Sequence, residues 1–274
     1  MTAGAPGPAG QFAPDVAFAR AIAERAGRLL LERYERVERV DYKSARDIVT
    51  EVDHLSERLI LGAIRERFPG DGILAEESGA HQDAARGLAR GRTWIVDPLD
   101  GTINYANGIP VFCVSVALAV DGRPAAGAVH DPMRGETFSA TADGPALLGD
   151  TPIGASDKPL LSDYVVSLAL GGRAVATRVR AVRRAIRVSR SMGSSALALA
   201  YVANGRFDAF IQSGGMSAWD CAAAGLIAER AGATVTDALG GRWFDVDRAT
   251  REFGVLAAPP AHHAELLRLS RAAG

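Results

Sequence analysis

Only two cysteines occur in the 274 residues, Cys113 and Cys221, and each lies in an apolar stretch. Neither falls in a Cys-x-x-Cys pattern, so the paired-cysteine metal and redox motifs are absent. Both read as small core residues, and a reducing cytoplasm is the natural location. Excess charge is also missing: the formal net charge is −1, which argues against bulk binding of nucleic acid or other polyanions. No apolar run reaches membrane-spanning length, and residues 1–14 lack a basic start followed by an apolar block. No Gly-x-Ser-x-Gly elbow supports Ser/His hydrolase chemistry. Gly214-Gly215 lacks the strand–loop–helix context of a dinucleotide site.

What remains is a globular composition, 48% hydrophobic, long enough for a sizeable core. Residues 1–13, rich in Gly, Ala and Pro, read as a disordered tail. The spacing of Val16, Ala19, Ala23, Ala26, Leu30 and Tyr34 predicts an amphipathic helix from Pro14 to about Val40. A second helix starts at Thr50, with Asp53 three residues on completing a capping box, and stops at Pro69-Gly70. Asp53 thus has a structural explanation of its own as a first-turn acid. Ile73-Leu74-Ala75 is a short strand running into Glu76-Glu77, and Ser78 to Arg92 reads as a surface loop. Val111 to Val120, Ala126 to Val129 and Glu136 to Ala140 are strand-like, with turns at Asp121-Gly122 and Asp143-Gly144. Residues 145–159 read as a connection between halves.

The second half alternates strand and helix. Tyr164–Leu168, Phe207–Gln212, Ala233–Thr236 and Phe253–Ala257 are strands. Val175–Ile186, Ser194–Ala203, Cys221–Ala231 and Ala261–Arg271 are helices, and Ser213-Gly214-Gly215 is a flexible loop. Arg178, Arg180, Arg183, Arg184 and Arg187 read as a solvated helix face, with the alternative that one or two reach an anionic ligand. Strands and helices mix in both halves, which points to a layered α/β (α+β) sandwich and not a single Rossmann sheet. The organisation expected is an N-terminal half over 14–150 and a C-terminal half over 151–274, forming one compact unit.

The central stretch is Trp94-Ile95-Val96-Asp97-Pro98-Leu99-Asp100-Gly101-Thr102-Ile103-Asn104. Three apolar residues run into Asp97, Pro98 forces a turn, and Asp100 follows. Two carboxylates on a rigid turn suit a hard divalent cation. Free N–H groups just after them suit an anion. The competing reading is a strand-to-helix turn with one acid as N-cap. Asp53, Glu76, Asp97, Asp100 and Asp220 all fall at apparent strand ends or helix starts. If they converge, their mutual repulsion calls for cations, and oxygen-only ligands favour Mg²⁺ or Mn²⁺ over Zn²⁺.

This pattern resembles the inositol monophosphatase family of metal-dependent phosphatases. Four blocks carry the likeness: Asp47-Ile48-Val49-Thr50-Glu51-Val52-Asp53, Glu76-Glu77-Ser78, the central stretch, and Trp219-Asp220 followed by Ala222-Ala223-Ala224-Gly225. The resemblance implies an αβαβα sandwich of the inositol monophosphatase/fructose-1,6-bisphosphatase type, and a homodimer. It implies two or three Mg²⁺. Glu76, Asp97 and the Leu99 carbonyl would hold one, Asp97, Asp100 and Asp220 a second, and Asp53 with Glu76 a weaker third. A metal-activated water, oriented by Glu76 and by Thr102 bonded to Asp53, would attack the phosphate. Asp100, Gly101 and Thr102, with Gly193, Ser194 and Ser195, would contact substrate.

The implied substrate is a small-molecule phosphate ester, with inositol 1-phosphate the default. Inositol-selective members often carry an acid several positions before Trp-Asp, yet Ile211-Gln212-Ser213-Gly214-Gly215-Met216 has none. Histidinol phosphate, a nucleoside bisphosphate or a sugar bisphosphate are alternatives, and a bisphosphate would call on cations such as Arg173, Arg178 or Arg190. A regulatory or interaction protein on the same scaffold is the reading of a different class, since some bacterial relatives also contact the transcription machinery. Ile103 stands where a second Thr is common. His54, His81, His130, His262 and His263 lie outside the matched acids and read as surface or structural.

Overall fold

Helix α1 (Ala13–Arg33) carries a stripe of buried Ala19, Ile22, Ala23, Ala26 and Leu30 along one face, the 3.6-residue period that buries one side of a surface helix. The computed structural model describes residues 10–37, 39–44, 47–81, 91–172, 174–247 and 253–271. Residues 1–9 of the expected tail and Arg173 therefore lie outside the described residues. Residues 10–13 do not continue a tail. The Gln11 N–H donates to Asp143 Oδ2 at 3.0 Å, and α1 begins at Ala13. The helix also stops before the expected Val40, because Tyr34 leaves helical geometry and Glu35 adopts a positive φ of 59°.

After α1 come a hairpin, β1 (Val40–Ser44) and β2 (Asp47–Thr50), and helix α2 (Glu51–Arg67). Thr50 caps α2 in the expected capping box with Asp53. Strands β3 (Gly72–Ala75), β4 (Gly79–His81) and β5 (Arg92–Asp100) follow, then the short helix α3 (Thr102–Ala106). The loop expected over Ser78 to Arg92 is thus shorter than read, with residues 82–90 outside the described part. Strands β6 (Cys113–Val120), β7 (Arg123–Asp131) and β8 (Glu136–Thr141) form a meander. Strands β9 (Leu147–Leu148) and β10 (Thr151–Pro152) add a small hairpin within the expected connection.

The remaining elements are β11 (Val165–Ala169), α4 (Val175–Ala185), β12 (Val188–Arg190), α5 (Ser195–Ala200), β13 (Ala209–Met216), α6 (Ala218–Arg230), β14 (Thr234–Asp237), β15 (Phe253–Ala258) and α7 (Pro260–Arg271). Ser213-Gly214-Gly215 is not a loop. It lies inside β13, which pairs with β15 on both sides of an irregularity between Gln212 and Met216.

The strands form an eight-stranded sheet in the order β10-β9-β8-β7-β6-β5-β3-β4 and a five-stranded sheet in the order β12-β11-β13-β15-β14. α1 and α2 cover the outer face of the larger sheet, with a core of residues such as Trp94, Ile60 and Val116. α5 and α6 fill the space between the sheets with small residues, and α4 and α7 cover the outer face of the smaller sheet. The result is the five-layered αβαβα sandwich. Two glycines permit the tight layering: a Cβ at Gly27 would lie 2.3 Å from His130, and one at Gly127 would lie 2.8 Å from the Ala223 backbone. β7 can therefore be clasped closely by α1 on one face and α6 on the other. No helix among the described residues is long and apolar enough to cross a membrane.

Candidate active site

β5 does not end at Asp97. It continues through Pro98 to Asp100, but its register against β6 slips, with Asp97 opposite Ser115 and Asp100 opposite Cys113. Three steps on β5 match two on β6, so one extra residue bulges. Residues three apart in a regular strand face opposite sides; the extra residue restores them to one side. Ser56 Oγ donates to the Pro98 carbonyl at 2.8 Å and pins the bulge to α2. The Leu99 N–H folds back onto Asp97 Oδ1 at 3.1 Å.

Other element ends meet this bulge. Asp220 lies in the first turn of α6, where it forms a capping box with Ser217. One carboxylate oxygen each from Asp97, Asp100 and Asp220 lies within 4.8 Å of the others. Asp97 is fully buried and Asp100 nearly so. Burial first, then the charges of Glu76, Asp100 and Asp220, hold the Asp97 carboxyl well above the ordinary carboxylate range. Its Oδ2 is buried with no hydrogen-bond partner. A buried carboxylate oxygen that no donor reaches, facing two more carboxylates, is the donor set of a hard divalent cation. The residues present therefore fit Mg²⁺ or Mn²⁺. Glu76, at the end of β3, stands outside the mutually close set but near enough for its charge to act on Asp97.

Asp100 has a second task. Its Oδ2 accepts from the N–H groups of Ala196 at 2.8 Å and Leu197 at 3.4 Å and from the Ser194 hydroxyl, while Oδ1 accepts from the Ser195 N–H at 3.2 Å. Burial raises its carboxyl and these bonds oppose the rise. Asp100 thus serves the start of α5 as an N-cap would, across 94 residues of chain. The Ser194 side chain, expected to face substrate, is buried and directed at Asp100. Ser195 Oγ donates to Gln212 Oε1 at 3.2 Å.

Asp53 is fully buried at the start of α2. Its Oδ2 accepts from the Thr50 N–H at 2.8 Å and the Thr50 hydroxyl at 2.5 Å, and Thr102 Oγ1 lies 2.9 Å from Oδ1. Its carboxylate is outside the mutually close triad. Thr102 Oγ1 is also 3.0 Å from the Leu99 carbonyl. Its single proton goes to one of these acceptors, which leaves an oxygen lone pair for a water. Gly101, the residue before α3, takes a φ of 97°, and a Cβ there would sit 2.9 Å from the Val111 carbonyl. Only glycine fits both demands.

Two supporting residues, Asn104 and Glu57, were not singled out as site residues in the sequence. Asn104 Nδ2 donates to the carbonyls of Val111 at 2.7 Å and Met192 at 2.8 Å, tying α3 to the segment before Gly193. Gly193 takes a φ of 74°, and a Cβ there would lie 2.9 Å from the Asn104 amide. Glu57 accepts from the Glu77 N–H at 2.9 Å and from the Ser78 hydroxyl, fixing the loop that carries Glu76. Cys113 Sγ is 3.7 Å from Asp100 Oδ2, and burial pushes its thiol far up, so it packs against the site without being a nucleophile. Spacing along α2 gives Glu57 no signal distinct from the other helix acids; Asn104 could have been suspected as a short polar residue within the central block.

Comparison with known proteins gives the same answer over nearly the whole chain. The model described as "Inositol monophosphatase family" matches residues 13–274. The protein named Nus factor SuhB from Pasteurella multocida is 37% identical over 238 residues, covering 83% of this chain and 86% of that protein. The inositol-1-monophosphatase of Mesorhizobium japonicum is 36% identical over 228 residues, covering 80% and 84%. Among solved structures, an IMPase from Thermotoga maritima superposes with a TM-score of 0.84 at 31% identity, covering 94% of this chain and 96% of that one.

Proposed function

The chain belongs to the inositol monophosphatase family, and from that premise we propose that it is a Mg²⁺-dependent phosphomonoesterase acting on a small-molecule phosphate ester. The observation that carries this is the partnerless, buried Asp97 Oδ2 beside Asp100 and Asp220. Asp97, Asp100, Asp220, Glu76 and the Leu99 carbonyl would hold the cation. When bound, Mg²⁺ supplies charge neutralisation of the phosphate and a lowered pKa for water.

The chain's own groups do the rest. The Thr102 hydroxyl donates its proton to Asp53 and accepts one from the attacking water, turning a water lone pair toward phosphorus. Asp53 is kept an acceptor by being fastened through Thr50 to the helix start. The first N–H groups of α3, which have no intrahelical partners, face the phosphate oxygens. Asp100, fixed by four donors from the approach and first turn of α5, keeps the substrate loop and the acid cluster in one frame. Purified protein with Mg²⁺, assayed for phosphate release over a broad panel of metabolite esters, tests the proposal. Release from none of them would refute it.

Inositol 1-phosphate is the default substrate, supported by the name of the Mesorhizobium japonicum relative. Against it stand residues 211–216, which carry no acid and whose Gln212 accepts from the Ser195 hydroxyl. Ranking the panel by kcat/KM decides between it and another metabolite ester. A second reading, a regulatory protein on the same scaffold, is favoured by the name Nus factor SuhB borne by the Pasteurella multocida relative. An inactive protein that still binds Mg²⁺ would support that reading.

A further inference from the structure

On the outer face of the five-stranded sheet, a cavity of about 260 Å³ opens between α4, α7 and the ends of β13 and β15. Two guanidinium groups line it, Arg178 from α4 and Arg271 from α7, along with Gln212, Ser213 and Ser270 and apolar walls such as Leu256. No acid is among its described lining residues. Each arginine is tied down by a backbone carbonyl: Arg178 Nη2 donates to Gly171, and Arg271 Nη1 donates to Leu239 at 3.1 Å. These carbonyls fix the guanidinium groups in place and cancel neither charge. Arg178 Nε is buried with no hydrogen-bond partner. Unpartnered buried donors are rare in native proteins and ask for a missing acceptor.

We propose that this cavity is a binding site for a small anion, a phosphate or carboxylate group, held by Arg178 and Arg271. The chemistry is that of guanidinium recognition, in which a planar fork takes two oxygens of one anion. The cavity volume suits a phosphorylated or carboxylated metabolite of modest size, and its apolar wall suits the carbon part. The site also touches the candidate active site through the chain. Gln212 lines the cavity and accepts from Ser195 Oγ, and the Ser195 N–H donates to Asp100. An anion seated here therefore sits two hydrogen bonds from Asp100.

The test does not depend on phosphatase activity. Metal-free protein in EDTA is titrated with inorganic phosphate by calorimetry, since without metal the acid cluster repels the anion. Saturable binding is expected. Arg178→Gln and Arg271→Gln should each weaken it by roughly tenfold or more. Arg178→Lys should weaken it less, because charge remains while the fork is lost. Arg180→Gln, an exposed change of the same charge on the same helix, should leave it unaltered. Folding of each variant is checked by circular dichroism. No saturable binding at millimolar phosphate, or equal affinity in Arg178→Gln and Arg180→Gln, overturns the proposal. Two sources of the anion are then separable on the phosphatase reading. If the anion is free, added sulfate changes turnover of an ester with no anionic group besides its phosphate in wild type and not in Arg178→Gln. If it is a second group of the substrate, Arg178→Gln raises KM only for esters carrying two anionic groups.

Discussion

Asp100 Oδ2 lies 2.8 Å from the Ala196 N–H, so a single carboxylate both belongs to the acid cluster and caps α5 from a distant strand. The Ser194 hydroxyl reaches the same oxygen. Ser194→Ala should therefore act through metal affinity, by analogy with groups that hold metal ligands in place. A rise of about 10-fold in the Mg²⁺ concentration for half-maximal activity is expected, with little change in substrate KM. A changed KM at saturating Mg²⁺ would return Ser194 to the substrate-contacting role.

Thr102 and Asp53 divide catalysis from stability. Thr102→Val removes the hydroxyl that orients the water and should lower kcat by about 10²–10⁴-fold, leaving the melting temperature nearly unchanged. Asp53→Asn should lower kcat as well, and should also destabilise the fold by about 1 kcal/mol through loss of the capping box. Paired kinetic and thermal measurements on the two variants check the division. Equal melting losses would contradict it.

Glu136 gives a pH dependence remote from the site. Arg206 first, at 2.5 Å, and then Arg134 pull its carboxyl down from 4.5 to about 2. A folded-state value below the unfolded one adds stability above about pH 4.5. That stability is lost as pH falls from there toward about 2. The Glu136 side chain is 21% exposed and Arg206 30% exposed, so solvent screens part of the effect. Glu136→Gln should flatten the acid limb of the stability curve and leave its alkaline limb alone. An unchanged acid limb would remove this pair from the account.

In EDTA the acid cluster should work against folding. A carboxyl held above its ordinary range favours the folded state below that range and loses the benefit as pH rises through the folded value. At neutral pH, Asp97→Asn should therefore melt higher than wild type without metal, by roughly 2–4 °C per kcal/mol of relieved repulsion. Mg²⁺ should raise the wild-type melting temperature more than that of the variant. A variant less stable than wild type in EDTA would show that Asp97 is not held under repulsion.

Much of this was readable in the sequence because local chemistry fixed it. The Thr50–Asp53 capping box and the Asp121-Gly122 turn follow from local spacing, a layered α/β sandwich from the mix of strands and helices in both halves, and the αβαβα order from the family resemblance. The acids of the cluster were legible as residues at element ends, together with the family blocks. What escaped were features set by tertiary pairing. The bulge in β5 depends on its register with β6, and the strand character of Ser213-Gly214-Gly215 depends on β15, which overrides the turn chemistry of its glycines. The role of Ser194 was hidden because its partner, Asp100, is far away in the chain. Glu57 and Asn104 act through backbone groups of loops, which no side-chain motif announces.

The central claim is that the Asp97 cluster binds Mg²⁺ for phosphate-ester hydrolysis, and its most direct test is phosphate release by Asp97→Asn across a Mg²⁺ titration, on a substrate that the wild type turns over. Loss of turnover at every Mg²⁺ concentration, with an unchanged circular dichroism spectrum, is the predicted result. Wild-type turnover in the folded variant would contradict the account.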